Sequence, residues 1–454
     1  MQLQEIKKAH FIGVRGIGVS AILRLLSLRG VVLTGSDSAR LDEAMLPAGK
    51  YHEGHDEDNV ESDTSIVIFS PAVPVTNVER MRAQELGIPQ FSYPDALALV
   101  TSNKRTIAVS GTHGKSTTTA LLGKFFESGG YDPSVIVGAE VSGWNHNYRH
   151  GDGEVFVVEA CEYRRHMMSL SPGVILLTNL ELDHPDYYSD LADVMQAFRA
   201  YIEKLPTNGK LIYNIDDANL RDITKKIDVE TISFGISTAA DLCAINILTT
   251  SDTQSFTLVW RGAVLGNFST SLPGLYNIYN ILGAVATYLV HGGNPEIIQG
   301  VLNKFNGIGR RFEMVGKLGS AMVVSDYAHH PTALSAVVEA SKSRFPQKRI
   351  LTVFRPHHRE RTSKLFNGFV TSLLTCDSVL LLEIYDVAGR EENLTVSSRD
   401  LVAEVLRHDP NKVITFAQSI VEAAQLIRSM VNEYDVILVV GAGDADELAR
   451  DLVM

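Results

Sequence analysis

The sequence predicts an α/β fold of three consecutive domains, each built on a mainly parallel sheet covered by helices. Three observations carry this. Short apolar runs recur along the whole chain, each ending in a Gly-, Ser- or Asp-rich turn: HFIGV (10–14), VVLTGSD (31–37), SIVIFSPAV (65–73), TIAVSG (106–111), VFVVEA (155–160), VILLTNL (174–180), MVVSDYA (322–328), ILTVFRP (350–356), VLLLEIYD (379–386) and VILVVGAGD (436–444). Nearly continuous apolar strands that alternate with helical patterns belong to parallel sheets buried on both faces. The length, 454 residues, exceeds one domain at roughly 100–200 residues each. Finally, 45% hydrophobic and 21% charged residues make a globular chain, not a fibrous or disordered one.

Charge and cysteine usage narrow the class. Lys plus Arg number 41 against 53 Asp plus Glu, a formal net charge of -12. That balance argues against an electrostatic nucleic-acid or membrane-surface binder. No apolar run approaches the roughly 20 residues of a spanning helix, and MQLQEIKKAHFIG enters a strand without a signal-peptide core. Cys161, Cys243 and Cys376 are odd in number and far apart, which suits a reducing cytoplasm. The expectation is a cytoplasmic multidomain enzyme, with no nucleic acid and no membrane among its partners.

The first domain is expected over 1–104, up to the polar stretch TSNKR (101–105). Its first strand runs into Gly13-Val14-Arg15-Gly16-Ile17-Gly18-Val19-Ser20, which opens a helix, and Asp37 ends the next strand. This is the pattern of a Rossmann-like nucleotide-binding turn, with Arg15 adding charge for a pyrophosphate. Many such turns bind nothing, and a nicotinamide-dependent oxidoreductase would use the same one.

The second domain, 105–309, ends at NGIGRR (306–311) and holds the strongest local signal. Strand TIAVS runs into Gly111-Thr112-His113-Gly114-Lys115-Ser116-Thr117 and then a helix. Backbone N–H groups and the helix dipole at such a loop hold phosphates; Lys115 would reach the β- and γ-phosphates and Ser116 would face Mg²⁺. Val109 stands where a strict motif has glycine, so the loop is a shortened variant, P-loop ATPase-like. Glu159 ends its strand on the same carboxyl edge and is a natural oxygen ligand for Mg²⁺. His184, after VILLTNL, is either a metal ligand or a hydrogen-bonded structural histidine, since magnesium prefers oxygen. Alternating segments TISFG, FTLVW and NFSTSL, between about 210 and 270, read as an antiparallel edge. In the helix after Gly274, Ile278, Ile281, Leu282, Val285 and Leu289 share one face. Asn277 and Asn280 share another stripe and could present amides to an adenine edge, although Asn277 also reads as a helix N-cap.

The third domain, 310–454, is again Rossmann-like. It carries Asp326-Tyr327-Ala328-His329-His330-Pro331 and Phe354-Arg355-Pro356-His357-His358-Arg359-Glu360-Arg361-Thr362, each just after a strand. No Cys or carboxylate stands at zinc spacing, and arginines at strand ends hold carboxylate or phosphate through bidentate forks. Arg310 and Arg311 at the hinge could reach a nucleotide or stand in solvent.

Together these segments resemble the Mur ligases, the ATP-dependent amino-acid ligases of peptidoglycan precursor synthesis. The resemblance runs in order along the whole chain: the turn at 13–20, GTHGKSTTT (111–119), EACEYRRH (159–166), TNLELDHPDYY (178–188), the Asn277/Asn280 helix, GIGRRFE (307–313), DYAHHP (326–331) and RPHHRERT (355–362). It implies that Gly13, Arg15, Gly16, Gly18, Asp37 and Ser70 bind a UDP-sugar. It also implies that ATP lies on Gly111, Thr112, His113, Gly114, Lys115, Ser116, Thr117, Asn277, Asn280 and Arg311. Ser116, Glu159 and His184 would hold Mg²⁺; Lys115, Glu159, His184, His329 and Arg361 would be catalytic, with His329 and Arg361 positioning the substrate carboxylate or the incoming amino acid.

The activity implied is the joining of L-alanine to the carboxylate of UDP-N-acetylmuramate through an acyl phosphate, by a monomer or weak homodimer. Residues 190–203 contain no lysine, as in the alanine-adding branch. Several positions depart from the family pattern: Arg15 replaces a glycine, EACEYRR replaces EADESD as in one subgroup, Tyr276 replaces a histidine, and Arg355 and His358 are unusual. Ala333, where glutamate is common, points to a recycling ligase that adds a peptide, and the unusual 354–362 loop to a silent nucleotide-binding regulator.

Overall fold

The computed structural model describes residues 3–40, 46–144, 146–236, 239–386 and 395–454, folded around sheets of five, ten and six strands. The first sheet is wholly parallel. It contains β1 (Lys8–Ile12), β2 (Val32–Asp37), β3 (Lys50–Glu53), β4 (Ile66–Phe69) and β5 (Gln90–Ser92) in the order β3-β2-β1-β4-β5. The order reverses between β1 and β4, and ligands bind such folds in the crevice outside the strand carboxyl ends at that reversal. Helices α1 (Ile17–Ser27), α2 (Val78–Glu85) and α3 (Tyr93–Thr101) cover the sheet. α1 turns Ile22, Leu25 and Leu26 into the core against Phe11.

The ten-stranded sheet positions the chemistry. Its parallel part comprises β6 (Arg105–Ser110), β7 (Ser134–Ile136), β9 (Val155–Glu159), β10 (Val174–Leu177), β11 (Lys210–Asn214) and β12 (Glu230–Gly235), with the short β8 (Tyr148–Arg149) antiparallel at one edge. The other edge is β13 (Leu242–Thr249), β14 (Gln254–Trp260) and β15 (Ala263–Thr270), antiparallel to one another. The expected antiparallel edge therefore begins later than TISFG. That segment lies in β12, parallel to β11 from Lys210↔Glu230 to Asn214↔Phe234, and parallel to β13. The crossover helix α6 (Ala218–Ile223) between β11 and β12 imposes the parallel direction. On one face, α4 (Lys115–Ser128) packs along α7 (Leu275–Val290) through Phe125, Phe126 and Tyr288, and α8 (Ile298–Lys304) follows. α5 (Leu191–Ile202) covers the other face with Phe198 and Tyr201.

The last sheet is β16 (Glu313–Leu318), β17 (Ala321–Asp326), β18 (Ile350–Arg355), β19 (Ser378–Leu382), β20 (Val413–Ala417) and β21 (Val436–Gly441), in the order β16-β17-β21-β18-β19-β20. Only β16 is antiparallel. Alternate residues feed two cores, Val324, Phe354 and Leu438 on one face and Val323, Val353 and Ile437 on the other. Helices α9 (Pro331–Arg344), α10 (Arg359–Lys364), α11 (Phe366–Thr375), α12 (Ser398–His408), α13 (Ile420–Met430) and α14 (Ala445–Asp451) complete the layers. Among the described residues no helix is long and apolar enough to cross a membrane.

Candidate active site

The loop after β6 can close only because two of its residues are glycine. Gly111 (φ +133°) and Gly114 (φ +81°) take backbone conformations that L residues avoid, and a Cβ would stand 2.1 Å from Thr178 Oγ1 and 2.2 Å from Asn280 Oδ1 respectively. The loop thereby aims its amides at the start of α4, where the helix dipole favours an anion. Lys115 folds back, its Nζ donating to the carbonyls of Gly111 (2.6 Å) and Thr112 (3.0 Å) and lying 2.8 Å from Glu162 Oε2. Burial disfavours its charge, but Glu162, Cys161 and Glu159 outweigh that and its pKa is raised. Glu162 is the converse: burial pushes it up, and Lys115 with His184 holds it below the usual carboxylate range.

Ser116 donates to Glu159 Oε1 (3.1 Å), and the Gly138 amide donates to Glu159 Oε2 (2.7 Å). This hydroxyl and carboxylate are hard oxygen donors brought together at the loop, and they fit a magnesium ion. His184 lies on the other side of the lysine: its Nε2 is 3.5 Å from Glu162 Oε1 and 3.8 Å from Asp183 Oδ2. Glu162, Asp183 and His184 form one group of potential ligand atoms.

A cavity of about 900 Å³ opens beside the loop, lined by His113, Gly114, Ser116, Thr117, Asn280 and Arg311 among others. Asn280 Nδ2 donates to Asn277 Oδ1 (3.0 Å), Thr118 donates to Asn280 Oδ1 (3.2 Å), and Asn277 donates to the Pro273 carbonyl (2.7 Å). Asn277 also lines the cavity and is not an N-cap; Gly274 starts the helix. Gly111, Thr112 and Lys115 form the floor of the loop without lining this cavity.

The third domain closes over the second. Arg361 Nε and Nη2 each stand 2.8 Å from Asp183 Oδ1, with the two side chains 4% and 5% exposed. Burial would raise the Asp183 pKa, but the Arg361 guanidinium holds it well below the carboxylate range. Lys364 donates to the Pro185 carbonyl (2.8 Å), His330 Nε2 to that of Leu182 (3.1 Å), and Thr332 to Glu181 (2.8 Å). His113 bonds the same Glu181. His330 also caps α9 through Nδ1, accepting from the Thr332 amide. His113, Glu181 and His330 form a second group of potential ligand atoms, in which both carboxylate oxygens of Glu181 and both ring nitrogens of His330 are already hydrogen-bonded. His329 Nδ1 lies 2.9 Å from the Tyr327 carbonyl and must donate to it, so Nε2 carries the lone pair. Burial, then Arg361, keeps this imidazole neutral.

The residues expected at the UDP-sugar meet at the reversal point of the first sheet. Gly13 (φ +84°) would place a Cβ 3.0 Å from Ser70 Cβ, the Gly16 amide donates to the Gly13 carbonyl (3.1 Å), and the Arg15 amide to Asp37 Oδ2 (2.9 Å). Gly18 lies under the Tyr93 ring, 2.5 Å from where its Cβ would be. This crevice is separate from the loop at 111–117 but faces it: Asn147 donates to the Ile17 carbonyl (2.9 Å), and burial with the charges of Glu159 and Cys161 raises the Tyr93 pKa. Sequence reasoning did not single out Glu162, Glu181, Asp183 or Tyr93. For Glu162 the spacing of three from Glu159 was the available signal; the others meet partners far off in the chain.

Fold and site together define a three-domain P-loop enzyme, with a cavity beside the loop between its second and third domains. Comparison with known proteins makes the class specific. Residues 8–105, 109–288 and 310–443 match, in turn, "Mur ligase family, catalytic domain", "Mur ligase middle domain" and "Mur ligase, glutamate ligase domain". The chain is 36% identical to the UDP-N-acetylmuramate–L-alanine ligase of Desulfitobacterium hafniense (98% of this chain, 99% of the relative) and 34% identical to that of Alkaliphilus metalliredigens (100% and 98%). Among solved structures it resembles the UDP-N-acetylmuramate-alanine ligase MurC of Thermotoga maritima, with TM-score 0.81, 25% identity and 98% of each chain covered. The murein peptide ligase mpl of Psychrobacter arcticus shares the fold, with TM-score 0.73, 22% identity and 98% of each chain. The chain belongs to the Mur ligase family, whose members use ATP.

Proposed function

We propose that the chain joins L-alanine to the carboxylate of UDP-N-acetylmuramate in peptidoglycan precursor synthesis, with ATP and Mg²⁺. Its full-length likeness to L-alanine ligases, 36% identical over 98% of the chain, carries the reading. In the first step a carboxylate oxygen attacks the γ-phosphorus, giving an acyl phosphate and ADP. In the second the amine of L-alanine attacks the acyl carbon, phosphate leaves, and the nitrogen gives up a proton. Magnesium at Ser116 and Glu159 would neutralise charge on the phosphates.

The chain's own groups suit these steps. Loop amides and Lys115 hold the γ-phosphate, whose arrival takes over the lysine now paired with Glu162. His184 stands beside that lysine pair, 3.5 Å from Glu162, and would hold a second cation. His329, with Nδ1 donating to the Tyr327 carbonyl, turns the Nε2 lone pair to the incoming amine as a hydrogen-bond acceptor. Arg361 holds Asp183 and so seats the third domain on the second, which excludes water from a hydrolysable acyl phosphate. The reading places the protein in the cytoplasm, where both nucleotides are found.

Incubation with ATP, Mg²⁺, UDP-N-acetylmuramate and either L-alanine or a tripeptide tests the acceptor. Product gaining the mass of one alanine supports the reading; product only with the tripeptide would make the chain a recycling ligase.

A further inference from the structure

Between β9 and β10 the backbone takes an unusual turn, closed by Arg165 N–H to the Glu162 carbonyl (2.9 Å) and Met167 N–H to that of Cys161 (2.9 Å). Arg164 (φ 49°, ψ 26°) and Arg165 (φ 57°, ψ 30°) are consecutive non-glycine residues in the left-handed region. L residues adopt this singly and at a penalty, and such outliers concentrate where a site over-determines the backbone. The double turn sends the two side chains to different fates. Arg165 pairs with Asp193 (2.9 Å) at the start of α5. Arg164 is exposed, and among the described residues it has no ion-pair partner.

Its guanidinium lies over the Tyr163 ring, 5.4 Å from the centroid. Tyr163 is itself fixed: its hydroxyl donates to Asp186 (2.8 Å), and its ring meets those of His184 at 4.6 Å and His166 at 6.0 Å. His184 reaches Glu162, the partner of Lys115. One aromatic ring thus gathers Arg164, His166 and His184. The surrounding carboxylates are occupied, Glu162 by Lys115, Asp183 by Arg361 and Asp186 by the Tyr163 hydroxyl. The segment borders the first domain, where Ser169 donates to Asp95 (3.2 Å), so the cluster lies on the rim between the UDP-sugar crevice and the triphosphate loop.

We propose that Arg164 binds the carboxylate of the acceptor sugar nucleotide and holds it toward the γ-phosphate site, with the paired left-handed backbone aiming the guanidinium. This rests on the proposed function. The diphosphate of such an acceptor belongs at the glycine turn 13–18, whereas its carboxylate has to reach the neighbourhood of Lys115 and His184. A planar guanidinium recognises a carboxylate through two parallel hydrogen bonds, which a lysine cannot reproduce.

Calorimetric titration of the full chain with UDP-N-acetylmuramate and with UDP-N-acetylglucosamine, which keeps the diphosphate and lacks the carboxylate, tests this. Arg164→Asn tolerates the left-handed backbone without the charge. It is expected to weaken UDP-N-acetylmuramate about tenfold or more, leave UDP-N-acetylglucosamine unchanged, and leave Tm equal or higher. Arg164→Lys should recover only part of the loss. Equal weakening of both ligands would assign Arg164 to the diphosphate and overturn the proposal, as would unchanged binding of both. If the unsubstituted chain fails to bind UDP-N-acetylmuramate, the proposed function falls and this inference with it.

Discussion

Lys115 has two lives in this site. It is held by two loop carbonyls and Glu162, all within 3.0 Å, and in the proposed reaction it exchanges them for the γ-phosphate. Replacing it with alanine is expected to abolish ADP formation, a loss of at least about a hundredfold, as for other preorganised charge stabilisers, while circular dichroism stays unchanged. Arg361 makes a second prediction. Expected to position the substrate carboxylate or the incoming amino acid, it engages Asp183, 178 residues away, in a pair almost without solvent. Arg361→Met leaves a buried carboxylate alone and should destabilise by about 3–5 kcal/mol, measured by chemical unfolding. No spacing in the sequence announces such a pair. Lys115, Ser116 and Glu159 were readable because a glycine loop between strand and helix is a local pattern.

At the scale of elements, the strand-loop-helix unit depends on glycine. Gly114→Ala forces a Cβ onto Asn280 Oδ1 and strains a left-handed residue, so it should weaken ATP binding and cost about 1–2 kcal/mol of stability. In the first domain, α2 buries Glu79, which accepts from Ser36 (2.6 Å) and Asn59 (2.7 Å) and lies 3.0 Å from His55 Nδ1 and 3.7 Å from His10 Nε2. Burial alone would raise its pKa, yet His10, Ser36 and Asn59 bring it down to about 2. A depressed carboxylate stabilises the fold above its unfolded pKa and loses that contribution as pH falls through the folded one. Stability should therefore drop by on the order of 3 kcal/mol between about pH 4.5 and pH 2. Glu79→Gln should flatten that stretch of the unfolding curve. Strand direction was harder to read than strand position. TISFG alternates like its antiparallel neighbours, but direction is set by the α6 crossover rather than by side-chain pattern. Likewise Asn277 has capping chemistry, and the left-handed Gly274 starts the helix before it.

Across the whole molecule, the three sheets meet through a small set of named bonds. The second and third domains are tied by Arg361 to Asp183, Lys364 to Pro185, His330 to Leu182, Thr332 to Glu181 and Arg344 to Asp252. Asn147 to Ile17 and Ser169 to Asp95 tie the first to the second. The three α/β blocks were legible because buried parallel strands announce themselves as apolar runs. Their mutual placement was not, because it depends on these few long-range contacts. The central claim is that the assembly passes phosphate from ATP to an acid and then exchanges it for an amine. ADP release measured with ATP, Mg²⁺ and UDP-N-acetylmuramate, with and without L-alanine, tests it most directly. Sustained release that requires both L-alanine and Lys115 is predicted. Release that is indifferent to L-alanine, or that survives in Lys115→Ala, would contradict it.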